Sequence, residues 1–119
     1  HFAPLLKREE RCVFASLSAR VGSIEDNRLG GWISYRASKA AQNQIIRTAA
    51  IEIARTHPQS IVVALHPGTV DTDLSQAFSK GRERFSPKHA AASLLATIDG
   101  LTPAQTGQFF AYDGHRIEW

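Results

Sequence analysis

A tyrosine and a lysine with three residues between them, Tyr35-Arg36-Ala37-Ser38-Lys39, are the side chains of this sequence best placed to do chemistry together. Residues 34 to about 56 are mostly Ala, Ile, Gln and Arg, with no Gly or Pro before Pro58, so the pattern predicts one long helix from Ser34. On a helix, positions i and i+4 share a face about one turn apart, and the Tyr35 hydroxyl and Lys39 ammonium can then address one reacting atom. A phenol in water has a pKa of about 10 and exchanges protons poorly at neutral pH. A cation about 4 Å away is worth roughly 1 kcal/mol in water but about 4 kcal/mol at an effective dielectric of about 20, on the order of three pKa units. The pair therefore works as proton donor and tuning cation only where water is partly excluded, as beneath a bound ligand. An exposed pair on a solvated helix face has the same spacing, and spacing alone does not separate the two readings.

Two apolar runs flank that helix and would position it. Residues 12–17, Cys-Val-Phe-Ala-Ser-Leu, suit a buried parallel strand, and residues 60–65, Ser-Ile-Val-Val-Ala-Leu, are the clearest strand in the chain. Strand, helix and strand in that order predict a parallel βαβ crossover. The small-residue stretch Ser18-Ala19-Arg20-Val21-Gly22-Ser23-Ile24 follows the first strand, at the carboxyl edge where open α/β sheets bind ligands. Residues 25–31, with Asp26-Asn27 and Gly30-Gly31, form a loop feeding the helix, whose start Trp32 and Ile33 are expected to staple. After the second strand, His66-Pro67-Gly68-Thr69-Val70-Asp71-Thr72 is a turn whose Pro and Gly fix the backbone direction. Its outward N–H groups and two hydroxyls can hold an amide or a phosphate.

Residues 73–85 are charged and poorly periodic apart from Leu74, Ala77 and Phe78, which is the pattern of a flap. With few apolar side chains among Asp73, Lys80, Arg82, Glu83 and Arg84, it suits a small ligand, and Arg82 or Arg84 is available to an anionic group. Ser86-Pro87 opens a second helix as N-cap and first helical residue, running through Leu94, Leu95 and Ile98 to a stop at Gly100. A turn at Thr102-Pro103 precedes a last strand at residues 108–112, and residues 1–8 read like the final turns of an amphipathic helix.

The 119 residues are 43% hydrophobic and 21% charged, ordinary globular material of about one domain. The net charge of +3 comes from 14 Lys and Arg spread along the chain rather than clustered, so a solvated surface is expected and a nucleic-acid partner is not. The lone Cys12 can form no internal disulfide and is expected to be a buried, inert thiol in a reducing compartment. No apolar stretch approaches 18 residues and no signal-peptide pattern opens the chain, which points to a cytoplasmic protein with neither a membrane partner nor a metal site.

A serine-bearing strand end, Tyr-x-x-x-Lys with Ser38 just before the Lys, and a buried strand closing in Pro67-Gly68-Thr69-Val70-Asp71-Thr72 together resemble the second half of a short-chain dehydrogenase/reductase. The resemblance covers nearly the whole chain. Gly22-Ser23-Ile24, Gly30-Gly31-Trp32, Tyr35 to Ala41 and His66 to Thr72 are most similar to the branch holding the C-factor signalling proteins and carbonyl-reductase-like enzymes. The resemblance implies an α/β fold, the C-terminal part of a Rossmann-type doubly wound parallel sheet, forming a single partial domain over residues 1–119. It implies NAD(P) as cofactor, with NADP(H) favoured. Tyr35 matches the catalytic acid/base that protonates the substrate oxygen as hydride arrives, and Lys39 the residue that tunes it and hydrogen-bonds the nicotinamide ribose.

For the serine that orients the substrate carbonyl, Ser18 is the nearest match. Counted back from Gly22, the family's usual position falls on Ala19; Ser23 is the second candidate, and neither is the third possibility. Pro67, Gly68, Val70 and Thr72 match the cofactor-contacting turn, with the Val70 backbone at the carboxamide, the Thr72 hydroxyl nearby and Thr69 a weaker candidate. Ser18 as a strand-end cap and Thr72 as a helix N-cap remain open. The chain has no Gly-x-x-x-Gly-x-Gly, so the N-terminal βαβ cofactor half is expected to be missing and one sheet edge unpaired. Two functions follow. The first is a nicotinamide-dependent oxidoreductase acting on a small carbonyl or alcohol, the short chain itself of uncertain activity. The alternative is a non-catalytic signalling or interaction module docking through helix 34–56. Family members pair through that helix, and Ala41, Ile45, Ala49 and Ile53, with Ala37 above, offer a stripe for a homodimer or homotetramer.

Overall fold

The computed structural model describes residues 1–73 and 84–119. Its centre is β2 (Ser60–His66), in which Ile61, Val62, Val63, Ala64 and Leu65 have no exposed surface. A strand with that many β-branched residues can lie flat only between two covered faces. β1 (Cys12–Leu17) pairs with it in parallel, Cys12 opposite Ser60 and Leu17 opposite Leu65. On the other side, β3 (Phe109–Ala111) is also parallel to β2, and β4 (Arg116–Ile117) turns back antiparallel to β3. The sheet order is β1-β2-β3-β4.

Alternate side chains of a strand face opposite ways, and this assigns one helix to each face. Val62 and Ala64 pack with Phe109 and Ile117 against Ile46 and Ala50 of the 22-residue α1 (Ile33–Ala54). Ile61, Val63 and Leu65 pack with Phe110 and Leu101 against Leu94 and Ile98 of α2 (Pro87–Asp99). Burying each large aliphatic side chain stabilises by roughly 1.5–3 kcal/mol, so β2 anchors both layers. The predicted crossover is present as β1-α1-β2, and the sheet is α/β and covered on both faces.

α1 begins unusually. Gly30, Gly31 and Trp32 have φ of 66°, 79° and 48°, three left-handed residues in succession, and Trp32 makes no side-chain cap. Arg36, one turn into the helix, holds this approach: its guanidinium donates to the carbonyls of Gly31 (2.9 Å), Gly30 (3.0 Å) and Val21 (3.3 Å). α2 starts as expected, Ser86 Oγ accepting the His89 N–H at 3.1 Å with Pro87 following, and stops at Gly100.

Several expectations are corrected. Residues 1–8 form only a 3-10 turn, Ala3–Leu5, with Phe2 and Leu5 exposed; Pro4 restricts its predecessor, and so short a segment gains nothing from packing. Trp32 and Ile33 are no staple, since Ile33 is 85% exposed and Trp32 itself occupies the cap position. β1 is half-buried rather than buried because it is the sheet's edge, and the Cys12 thiol is half-buried, 3.4 Å from the Lys7 carbonyl. The last strand is shorter than 108–112, and β4 went unforeseen because two residues carry no alternation. Leu74, Ala77, Phe78, Lys80, Arg82 and Glu83 lie outside the described residues. Among the described residues, no helix is long and apolar enough to cross a membrane, and no group of three His, Cys, Asp or Glu could hold a metal ion.

Candidate active site

The parallel strands β1 and β2 end side by side, and a cavity of about 490 Å³ opens beyond their carboxyl ends. Ser18 and Ala19 border it from β1, His66, Pro67, Val70 and Thr72 from the turn after β2, and Tyr35 from the first turn of α1. The loop before α1 closes the outer side with Leu29 and Trp32.

A glycine sets how close these walls come. A Cβ on Gly22 would lie 2.8 Å from the backbone of Lys39 and 3.0 Å from the Asn43 amide. Only a bare Cα therefore lets the 3-10 turn Arg20–Gly22 press against α1. That approach brings Ser18, buried at the end of β1, onto α1, where its hydroxyl donates to Asn43 Oδ1 at 2.6 Å. Ser23 faces elsewhere: its hydroxyl donates to the Glu118 carbonyl and accepts the Asp26 N–H, and it does not line the cavity. Of the two serines, Ser18 is the one that lines the same cavity as Tyr35.

Lys39 follows Tyr35 by one turn but does not border the cavity. Its Nζ donates to Gln42 Oε1 at 3.0 Å, and the Gln42 amide donates to Ser16 Oγ and the Leu17 carbonyl, both at 2.8 Å. Gln42 thus moors the ammonium over the end of β1, on the side of the site facing the sheet's open edge.

The turn after β2 is rigid at its base. Gly68 has φ of 77°, and a Cβ there would stand 2.8 Å from the Phe85 ring, which itself packs edge-on against Tyr112 with centroids 4.8 Å apart. Phe85 donates its N–H to the Thr69 carbonyl (2.8 Å) and accepts the Asp71 N–H (2.9 Å), a one-residue parallel bridge to Val70. In such a bridge the N–H and C=O of Val70 point away from Phe85, which leaves an amide edge able to pair with a carboxamide. Arg84, offered from sequence for an anion, is 3.3 Å from Asp71 and already matched.

Three residues of the site escaped the sequence reading. His66 Nδ1 accepts the Arg20 N–H at 3.3 Å, tying the end of β2 to the turn after β1. Asn43 and Arg36 brace Ser18 and the outer loop. Asn43 lies two turns beyond Tyr35 and Arg36 directly after it, and a polar residue on the sheet-facing side of α1, as Asn43 is, was the available signal.

No family model matches the chain. A 1-hydroxy-2-glutathionyl-2-methyl-3-butene dehydrogenase of Rhodococcus sp. (strain AD45) is 40% identical over 103 residues, covering 87% of this chain and 45% of that protein. C-signal of Myxococcus xanthus is 36% identical over 107 residues, 88% of this chain and 60% of that protein. Among solved structures, an NADPH-bound carbonyl reductase from chicken fatty liver has a TM-score of 0.75 at 31% identity, over 90% of this chain and 42% of that one. The chain spans about half the length of the curated relatives it matches.

Proposed function

We propose that this chain, which belongs to the short-chain dehydrogenase/reductases and spans about half the length of its relatives, supplies the catalytic side of an NADP(H)-dependent reduction of a small carbonyl compound, or the reverse oxidation. The observation that carries this reading is the meeting of Tyr35, Ser18 and the Pro67–Val70 turn on one cavity at the strand ends.

The residues fit a nicotinamide. The Val70 amide edge and the Thr72 hydroxyl would hold its carboxamide side, Pro67 and Gly68 would frame the turn beneath it, and the Lys39 ammonium would reach its ribose. When bound, the nicotinamide supplies the hydride. Tyr35 gives its hydroxyl proton to the substrate oxygen, so the carbonyl becomes an alcohol and the phenol a phenolate that is reprotonated from solvent. Lys39 stabilises that phenolate, and Ser18 orients the substrate oxygen toward Tyr35. The NADPH-bound relative of known structure supports the cofactor choice.

The test is NADPH titration followed by fluorescence, then NADPH consumption with a small aldehyde, on the 119-residue chain and on the longest reading frame containing it. Binding and consumption by the longer form are expected, with consumption lost in Tyr35→Phe and both weakened in Lys39→Ala. Failure of the longer form to bind NADPH would overturn the proposal.

A second reading is a signalling or interaction module, favoured by the likeness to C-signal and by an exposed apolar ridge on α1, Ile33, Ala37, Ala41 and Ile45. Of the stripe expected from sequence, Ala37, Ala41 and Ile45 are exposed, while Ala49 is half-buried and Ile53 packs against the core; the exposed part is proposed as the contact of a homodimer or homotetramer. A copy that pairs through α1 yet never binds NADPH would favour this reading.

A further inference from the structure

The cavity rim is unbalanced in charge. Arg20, Arg28 and Arg36 border it, against Asp26 as the one acid among the described residues that line it. Asp26 is already matched by Arg20 at 3.5 Å, and the Arg36 guanidinium is engaged by three carbonyls. Arg28 has no hydrogen-bond or ion-pair partner among the described residues. Next to it, Leu29 is 87% exposed and Trp32 42% exposed. Leu29, Trp32 and the unmatched Arg28 thus stand together on the mouth of one cavity.

The loop that presents them is pinned. Asn27 Oδ1 accepts the Gly30 N–H at 3.0 Å, Ser23 Oγ accepts the Asp26 N–H at 3.0 Å, and the Ile24 and Glu25 amides donate to the Trp119 carbonyl at 3.1 and 3.0 Å. With Arg36 holding its far end, the rim is a preformed surface, and a ligand need not pay to order it.

We infer that the substrate of this cavity is a carbonyl compound bearing a carboxylate on a short apolar arm, with Arg28 as counter-ion and Leu29 and Trp32 covering the arm. The inference rests on the oxidoreductase reading of the cavity for the carbonyl end, while the anionic end rests on the rim alone. Because Asp26 is paired with Arg20, no unpaired acid borders the rim among the described residues.

Calorimetric titration of the 119-residue chain with 4-carboxybenzaldehyde and with methyl 4-formylbenzoate, which differ by one charge, tests this without turnover. The acid is expected to bind about fivefold more tightly at low salt, the upper range for one exposed ion pair. That preference should fade at about 0.5 M salt. It should disappear in Arg28→Gln with an unchanged circular dichroism spectrum. Equal or tighter binding of the ester, a preference that survives Arg28→Gln, or no binding of either compound would overturn the inference. A preference for the acid in a protein that never consumes NADPH supports the subsite and sinks only the oxidoreductase reading; NADPH consumption with no preference does the reverse.

Discussion

The Ser18 hydroxyl and the Asn43 side-chain oxygen lie 2.6 Å apart, bridging the end of β1 to the second turn of α1 after Tyr35. The other end of that amide, Asn43 Nδ2, is buried with no partner among the described residues. Turned by half a rotation, the amide would donate to Ser18 Oγ and leave the serine proton to face the cavity. An unpaired buried donor costs about 1–3 kcal/mol, and an underused carbonyl is the commoner and milder defect. The rotated amide is therefore the arrangement a substrate-orienting Ser18 requires. Ser18→Ala in the longest reading frame is expected to lower turnover about a hundredfold, the loss seen on removing one oxyanion donor. Steady-state kinetics with a small aldehyde decides it: a loss under threefold would leave Ser18 as packing for Asn43.

Tyr35→Phe keeps the ring and removes the proton. Turnover should fall by at least about a hundredfold, the lower range for a general acid, with the circular dichroism spectrum unchanged. Lys39→Ala should lower both turnover and NADPH affinity, since in the proposed reaction one ammonium serves both the phenolate and the ribose. A Tyr35→Phe protein with near-parent turnover would refute the assignment.

Arg36 ties the loop to the helix that carries Tyr35. Arg36→Met removes its hydrogen bonds while keeping much of its bulk, and urea titration should show a loss of about 1–3 kcal/mol, the worth of charged hydrogen bonds that are partly solvated. Trypsin should then cut more readily after Arg28. Unchanged stability and cleavage would mean that the glycines hold the loop without help.

Gly68 and Gly30 both have positive φ, but they differ in surroundings. A Cβ on Gly68 meets the Phe85 ring at 2.8 Å and Tyr112 at 3.0 Å, whereas one on Gly30 meets nothing within 4 Å. Gly30→Ala should cost only the left-handed penalty of about 1–2 kcal/mol. Gly68→Ala adds a clash that must shift the turn, so its melting temperature should fall further and its NADPH affinity should drop with it. Equal melting temperatures would show that the Phe85 ring moves aside at little cost.

Ile45, at the end of the exposed α1 ridge, is 66% exposed. Ile45→Arg is expected to convert a light-scattering mass of two or more chains to that of one, without loss of stability. A parent protein that is monomeric throughout the micromolar range would rule out pairing through α1.

Much of the fold was legible because long periodic elements state their own environment. Ile61-Val62-Val63 can only be a doubly covered strand, and the residues from Ser34 onward have a helix's composition. Short pieces carry no such signal: Arg116 and Ile117 form a strand because Phe109 and Phe110 offer an edge, a tertiary cause. Within the site, the Tyr35 spacing and the Pro67-Gly68 turn could be read directly. That Ser18 and not Ser23 faces the cavity could not, since it depends on how closely Gly22 lets the turn approach Lys39 and Asn43. Sequence offered Arg82 or Arg84 to an anionic group; Arg84 is paired with Asp71, Arg82 lies outside the described residues, and Arg28, on the loop before α1, borders the cavity.

β1 borders the sheet, with β2 on one side only. The Ser18 amide donates to the Leu65 carbonyl, so by alternation the amides of Cys12, Phe14 and Ser16 turn toward β2 while those of Val13, Ala15 and Leu17 turn outward. The Leu17 carbonyl, reached from outside by Gln42, agrees with that phase. In deuterated water β1 should exchange with a two-residue beat, slow at the even positions and fast at the odd ones. Any strand that comes to lie against this edge, from a longer form of the chain or from another copy, would announce itself by silencing the fast half of the beat.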